Sequence, residues 1–212
     1  MWTLQDDTRV RVRALGALTA WLGVACGPPL TPLPPPNAPA PSEIALPAPA
    51  APAPPNAAAE LRTRRLMVPV DGIAVDRLVD SYNAERDAGA RRHFAIDISA
   101  QRGTPVVAAD DGTILRMGFN SLGGLIIYQI DPSRRFVYYY AHLDRYSSSL
   151  RDGSTVSRGE VIGYVGSTGN ASPTAPHLHF QVMVYRGRGQ YWGGDPINPH
   201  PFFTRSGRDQ KQ

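Results

Sequence analysis

The stretch His177-Leu178-His179-Phe180 is where residue types and spacing first point to chemistry. In a β-strand successive side chains alternate between faces, so His177 and His179 share one face while Leu178, Phe180 and Val182 share the other. Imidazoles held by a packed strand suit a first-row metal or proton transfer, because histidine titrates near neutrality and is the commonest metal-binding side chain. Alone, the pair reads equally well as the polar edge of a strand. Two further histidines, His93 and His142, stand in or beside strand-like runs, and Asp97 follows His93 by four residues. On a straight strand, residues four apart share a face but sit roughly 13 Å apart at ~3.3 Å rise. If His93 and Asp97 act on one ion, the chain must bend near Phe94, with His93 on an incoming loop and Asp97 on the strand. Read by itself, Ile96-Asp97-Ile98 is simply the polar side of a half-buried strand.

The elements that must position these residues lie from Phe94 onward, where short β-rich runs alternate with glycine turns. The runs are Ala95 to Ile98, Pro105 to Ala109, Thr113 to Met117, Leu125 to Ile130, Phe136 to His142, Glu160 to Val165 and His177 to Tyr185. Turn signals fall at Gly103, Asp110-Asp111-Gly112, Gly123-Gly124, Asp152-Gly153, Gly159 and Gly166 to Gly169. Short strands punctuated in this way predict a mainly β fold, an antiparallel sheet, barrel or sandwich with glycine-rich loops and little helix. Ahead of it, Leu66 to Val70 reads as a short strand. Val75, Leu78, Val79 and Tyr82 fall at helical spacing and favour a short helix. Asp195-Pro196-Ile197-Asn198-Pro199 reads as a closing loop, and His200 beyond it as a surface residue.

The N-terminal part has a different character. Arg9, Arg11 and Arg13 precede an apolar run, Ala14 to Ala25, that ends at Cys26. This run is shorter than the ~20 residues a spanning helix needs. Positive flank, apolar centre and small-residue end match a secretory signal; the alternative is a short buried helix, for which the following residues offer no packing partner. Cys26 stands where a lipoprotein signal places its lipidated cysteine. Leu22-Gly23-Val24-Ala25-Cys26 departs from that pattern, with Gly23 where leucine is usual and Leu22 one position early. Ordinary signal peptidase would cut the same Ala25-Cys26 bond, so the two readings differ in whether Cys26 carries lipid. From Gly27 to about Ala59 the chain is rich in proline and alanine with hardly a charge, a composition that favours extended polyproline II over a packed core. At ~3.1 Å per residue it could reach up to roughly 100 Å. The expected organisation is therefore a signal peptide over 1–26, a tether over 27–59, a lead-in segment over 60–91, a domain over 92–203 and a polar tail over 204–212. The expected location is outside the cytoplasm, in the periplasm or cell envelope, with membrane anchoring through lipidated Cys26.

Composition narrows the functional classes. The net charge of +4 is carried by scattered arginines, without the basic helix or aromatic-interleaved patch of a nucleic-acid binder. A single cysteine excludes an internal disulfide framework and a cysteine-based zinc knuckle. Any metal must then be held by histidine and carboxylate. The glycine-punctuated hairpin of Gly153 to Gly166 is similar to lipoyl and biotin carrier domains, but the sole lysine is Lys211, so no attachment point exists there.

Together the motifs resemble the zinc metallopeptidases of the lysostaphin type, peptidase family M23, also called the LytM domain. The residues that carry the resemblance are His93-Phe94-Ala95-Ile96-Asp97, Tyr140-Ala141-His142-Leu143 and His177-Leu178-His179-Phe180. Spacers agree as well: Gly103-Thr104-Pro105-Val106, Asp111-Gly112-Thr113-Ile114, Gly153 to Glu160, and Gly166-Ser167-Thr168-Gly169-Asn170. The resemblance runs from about Arg92 to Val184 and continues weakly to Phe203. It implies that His93, Asp97 and His179 bind one zinc ion, and that His142 and His177 stand beside it as catalytic groups. A catalytic zinc site keeps three protein ligands of nitrogen and oxygen type and leaves the fourth position for water. Which of His142 and His177 is the general base stays open. Tyr140, two residues from His142 on a regular strand, would share its face, either supporting the site or simply packing. The implied activity is a zinc metalloendopeptidase acting on peptide cross-links of bacterial peptidoglycan. Some members of the family have lost metal ligands and regulate other wall hydrolases, but all five residues are present here.

Overall fold

A computed structural model describes residues 56–187 and 191–204. The expected signal peptide, Cys26 and nearly all of the tether lie outside the described residues. A helix, α1 (Ala57–Thr63), opens the described chain with Ala57 and Leu61 buried against the core; it begins two residues before the expected end of the tether. Eleven strands follow in order: β1 (Glu85–Arg86), β2 (Arg91–Arg92), β3 (Ile96–Ser99), β4 (Pro105–Val107), β5 (Gly112–Asn120), β6 (Gly124–Ile130), β7 (Phe136–Tyr146), β8 (Thr155–Val156), β9 (Val161–Val165), β10 (His177–Val184) and β11 (Asp195–Ile197).

β1 and β2 form a small antiparallel hairpin, and the other nine strands make one antiparallel sheet. Its spine runs β11-β10-β7-β6-β5-β8. β3 pairs with the first half of β10 and β11 with its second half, so these two share one edge of β10 while β7 takes the other. The fold is thus mainly antiparallel β with a single α-helix among the described residues and no closed barrel. No described helix is long and apolar enough to cross a membrane.

Alternation along β10 separates the two faces of the sheet. Leu178, Phe180, Val182 and Val184 are buried in the main core with Ile96, Ile98, Ile127, Tyr138 and Tyr140. Burying a side chain of this size stabilises the fold by about 1.5–3 kcal/mol each. The opposite face carries a smaller cluster of Ile126, Tyr128, Ile130, Val137, Ala141 and Met183, with Tyr139 and Tyr191 packed against it. Because both faces of β6 and β7 are covered, these strands read as nearly continuous apolar runs rather than as clean alternation.

Several local expectations are corrected. Leu66 to Val70 forms only isolated bridges, Leu66 to Phe203 and Val70 to Val106, because its neighbours are the closing segment and the edge of β4. The helical spacing after Val75 yields one 3-10 turn, Val75–Arg77, with Val75 and Leu78 packed against the main core and Val79 71% exposed. Asp195–Ile197 is a strand rather than a loop, because the exposed half of β10 offers it a ladder.

Candidate metal centre

Three neighbouring segments bring the sequence-predicted residues together. On β10, His179 is directly opposite Asp97 of β3 on one side and Ala141 of β7 on the other. Directly opposed antiparallel residues hold their Cβ atoms about 4.5–5.5 Å apart, so the pairing alone delivers the Asp97 carboxylate to the His179 ring.

His93 arrives by the bend the spacing demanded. Phe94 adopts φ 54, a left-handed conformation unusual for a bulky residue. It is held there by Phe94 N–H donating to Tyr82 O at 2.9 Å, His93 N–H donating to Ala84 O at 2.9 Å, and an edge-on contact of the Tyr82 and Phe94 rings at 5.7 Å. Such strain costs on the order of 1–3 kcal/mol and persists only where surroundings impose it. In return His93 Nε2 lies 3.0 Å from Asp97 Oδ1 and 3.0 Å from His179 Nδ1, and the latter two atoms are 3.2 Å apart.

The hydrogen bonds behind these atoms define what they can do. His93 Nδ1 is 3.0 Å from the Ser81 carbonyl, which can only accept, so Nδ1 carries the proton and Nε2 turns its lone pair inward. Ser81 acts twice, since its hydroxyl also accepts the Asp97 backbone N–H at 3.0 Å. The segment carrying Ser81 is itself clipped to the closing chain by Asn198 Nδ2 donating to Asp80 at 2.8 Å and Tyr82 OH donating to Pro196 O at 3.0 Å. Burial raises the Asp97 pKa, but hydrogen bonds and charge from His179 and His93 outweigh it and hold the carboxyl well below the usual range. Burial depresses the His179 pKa, outweighing the opposing pull of Asp97.

Lone pairs of two imidazoles and one carboxylate therefore converge on one point, with at most one proton to share on His179 Nδ1. A tetrahedral ion with bonds of about 2.0–2.1 Å spaces its ligand atoms roughly 3.3 Å apart, close to the three observed separations. The donor set of two nitrogens and one oxygen fits a catalytic zinc site with one position left for water.

His142 and His177 flank the triad. Their rings are 4.9 Å apart by centroids, and the His142 ring is 5.7 Å from that of His179. His177 Nε2 is 3.9 Å from Asp97 Oδ1, while its Nδ1 lies 2.9 Å from the Ala175 carbonyl. His142 Nδ1 lies 2.8 Å from the Thr168 carbonyl. Each carbonyl fixes the proton on Nδ1 of the neutral ring and leaves Nε2 as the acceptor. Burial lowers the His142 pKa to about 4, with the Thr168 carbonyl opposing and the His179 and His177 charges reinforcing the shift.

His142 reaches this face by breaking strand alternation. Its φ is 60, its N–H donates to Gly123 O at 2.6 Å, and the register of β7 shifts on both sides of it. Tyr140 is consequently not on the His142 face: it packs against Phe180 in the core, donates to Gln129 Oε1 at 2.6 Å and accepts the Ala109 N–H at 3.0 Å. The aromatic residue beside the site is Tyr139, 6.0 Å from the His179 ring. Gly124, at φ +65, lets the loop bearing Thr168 lie against it, where a Cβ would collide with Thr168 and the backbone N of Gly169. His200 is not part of this cluster: its ring Nε2 lies 3.5 Å from the Leu78 carbonyl and its backbone N–H donates to Asn198 Oδ1 at 3.0 Å.

Ser81, Thr168 and Arg86, whose Nη2 is 2.6 Å from Asp97 Oδ2, escaped the sequence reading. Ser81 and Thr168 fix the histidine rings through backbone carbonyls, which carry no residue signature, although their hydroxyls also brace Asp97 N and Leu125 N; for Arg86 the only hint was its place just ahead of His93.

An L-Ala–D-Glu endopeptidase of Bacillus subtilis (strain 168) is 38% identical over 126 residues, covering 57% of this chain and 38% of that protein. A DD-carboxypeptidase/endopeptidase of Neisseria meningitidis serogroup B is 38% identical over 109 residues, covering 51% of this chain and 22% of that protein. The chain thus spans well under half the length of these relatives. The structure of the antimicrobial peptidase lysostaphin from Staphylococcus simulans superposes with a TM-score of 0.51 at 29% identity, covering 66% of this chain and 53% of that one. The pattern of peptidase family M23 matches residues 91–199, just over half of the sequence, and on that match the chain belongs to peptidase family M23.

Proposed function

We propose that this protein is an exported zinc metalloendopeptidase that hydrolyses peptide cross-links of bacterial peptidoglycan. The observation that carries the reading is the convergence of His93 Nε2, Asp97 Oδ1 and His179 Nδ1 within 3.2 Å of one another, with two further imidazoles beside them. The substrate class is taken from relatives whose names specify endopeptidase action on L-Ala–D-Glu bonds and DD bonds. The signal-like N-terminus and proline-rich tether support action in the envelope, with Cys26 as a membrane anchor.

His93, Asp97 and His179 would hold the ion. Zinc bound there supplies a Lewis acid for a peptide carbonyl and lowers the pKa of its water to about 7. The remaining work falls to the chain. His142, neutral at pH 7 with Nδ1 fixed by Thr168, offers Nε2 to accept a proton. His177, fixed in the same sense by Ala175, presents a second Nε2 3.9 Å from Asp97 Oδ1; once that Nε2 has taken up a proton it can donate a hydrogen bond to the developing oxyanion or hand the proton to the leaving amine. The two are equivalent enough in geometry that either can be the base. Zinc-loaded protein incubated with purified peptidoglycan should release new peptide ends, identified by mass spectrometry, and chelator should abolish them. Intact cross-links in the presence of bound zinc would refute the peptidase reading and favour a binding module that regulates another hydrolase.

A further inference from the structure

We propose that Arg86 is a positioning residue that holds Asp97 as a one-oxygen ligand and so keeps a coordination position open for water; this rests on the metal reading above. The two carboxylate oxygens of Asp97 face different partners. Oδ1 points at His93 Nε2, 3.0 Å away, and His179 Nδ1, 3.2 Å away. Oδ2 is taken by Arg86 Nη2 at 2.6 Å. A carboxylate with both oxygens free can swing to chelate a hard or borderline cation, and with two histidines that would complete four-fold coordination with no place for water. A guanidinium bound to the outer oxygen opposes that rotation, and charge-assisted hydrogen bonds of this length are the strong ones.

The local fold delivers Arg86 for this purpose. β1 and β2 turn back on each other through a reversal that uses positive φ at Ala88 and Gly89, pairing Arg86 with Arg91 and running directly into His93. One short hairpin therefore sets both the incoming His93 and the arginine that orients Asp97. The Asp97 backbone is fixed separately by Ser81 Oγ, so Arg86 controls the orientation of the carboxylate and not the path of the strand. Both side chains remain partly exposed, 35% for Arg86 and 25% for Asp97, which a purely structural buried pair would not be.

The test uses the full chain, with Arg86→Gln and Arg86→Lys, loaded with zinc or cobalt(II). Zinc affinity is measured by competition with a chelator, and coordination by the visible spectrum of the cobalt form. Groups that orient metal ligands typically contribute about 10–100-fold to affinity. Arg86→Gln is expected to weaken zinc by that range and to shift the visible bands of the cobalt form while keeping the strong absorption of four-coordinate cobalt, because the second Asp97 oxygen replaces the water. Arg86→Lys, which keeps a cation on the outer oxygen, is expected to restore the wild-type spectrum. Wild-type affinity and spectrum in Arg86→Gln would overturn the proposal, even if its melting temperature fell. X-ray absorption at the zinc edge of the wild type provides a check that needs no variant, and a two-oxygen Asp97 would overturn it too. Failure of the wild type itself to bind zinc would instead remove the metal reading on which this rests.

Discussion

Replacing Gly124 by alanine should separate catalysis from metal binding. Gly124 sits at φ +65, and an added Cβ would lie closer than 3.0 Å to Thr168 Oγ1, to the Thr168 carbonyl carbon and to Gly169 N. Two of these three atoms are backbone, so a rotamer change cannot relieve the clash. The left-handed conformation costs a non-glycine residue about 1–2 kcal/mol, and overpacking a fitted contact costs about 1–3 kcal/mol more. A combined loss of roughly 2–5 kcal/mol is survivable for a domain of ordinary stability; near 150 residues it corresponds to a fall in Tm of about 4–20 °C. The loop can escape only by moving Thr168, whose carbonyl fixes His142 Nδ1 and whose hydroxyl bridges Leu125 N and Leu143 O. The ligand residues His93, Asp97 and His179 lie on the incoming loop, β3 and β10 respectively, and not on the segments that carry Gly124 and Thr168. Losing a positioned proton acceptor typically costs about 10²–10⁴ in rate. Peptidoglycan cleavage should therefore fall at least about 100-fold while zinc affinity, measured by chelator competition, stays at the wild-type value. Full activity, or parallel loss of zinc, would refute the assignment of Thr168 as the anchor of His142.

Other expectations follow from the same geometry. Asp97→Ala or His179→Ala should abolish both zinc binding and cleavage, which metal analysis and a muropeptide digest would read together. His177→Ala should abolish cleavage and leave zinc bound; a normal cutting rate would show that its role is misassigned. Tyr138→Phe, which removes a buried 2.8 Å hydrogen bond to Asp110, should cost about 1–2 kcal/mol in urea unfolding and leave the turnover unchanged, because that network lies on the core face. In the metal-free protein, His142 has a folded pKa of about 4 against an ordinary 6.5, so between these values the unfolded chain binds more protons. Its contribution is complete above pH 6.5 and is lost as pH falls toward 4; the depressed His179 and Asp97 act in the same sense. Thermal melts should show stability declining through that window, and a metal-free Tm that rises on acidification would contradict it.

The sequence made the strands and the site residues legible for specific reasons. The apolar face of β10 is written in Leu178, Phe180 and Val182, and its polar face in His177 and His179, because a strand has period two. The separation of His93 from Asp97 required a bend, and it falls at Phe94. Short elements were harder to read. β8 and the β1–β2 hairpin contain two residues per strand, too few for any periodicity, and β11 exists because half of one β10 edge was left unpaired.

By itself, then, the sequence determined which residues could act, since histidine and carboxylate are the available donors in a chain with one cysteine and one terminal lysine. It also determined the face of β10 that carries them. What only the tertiary structure decided was the direction of His142 and the partners of every ring. Regular alternation along β7 would have put His142 with Tyr140, inside the core; a left-handed residue braced by Gly123 turns it outward instead. That conformation is unfavourable locally and is imposed by contacts between segments far apart in the chain. The same is true of the carbonyls of Ser81, Thr168 and Ala175, which set the protonated nitrogen of three histidines although any residue type could supply them.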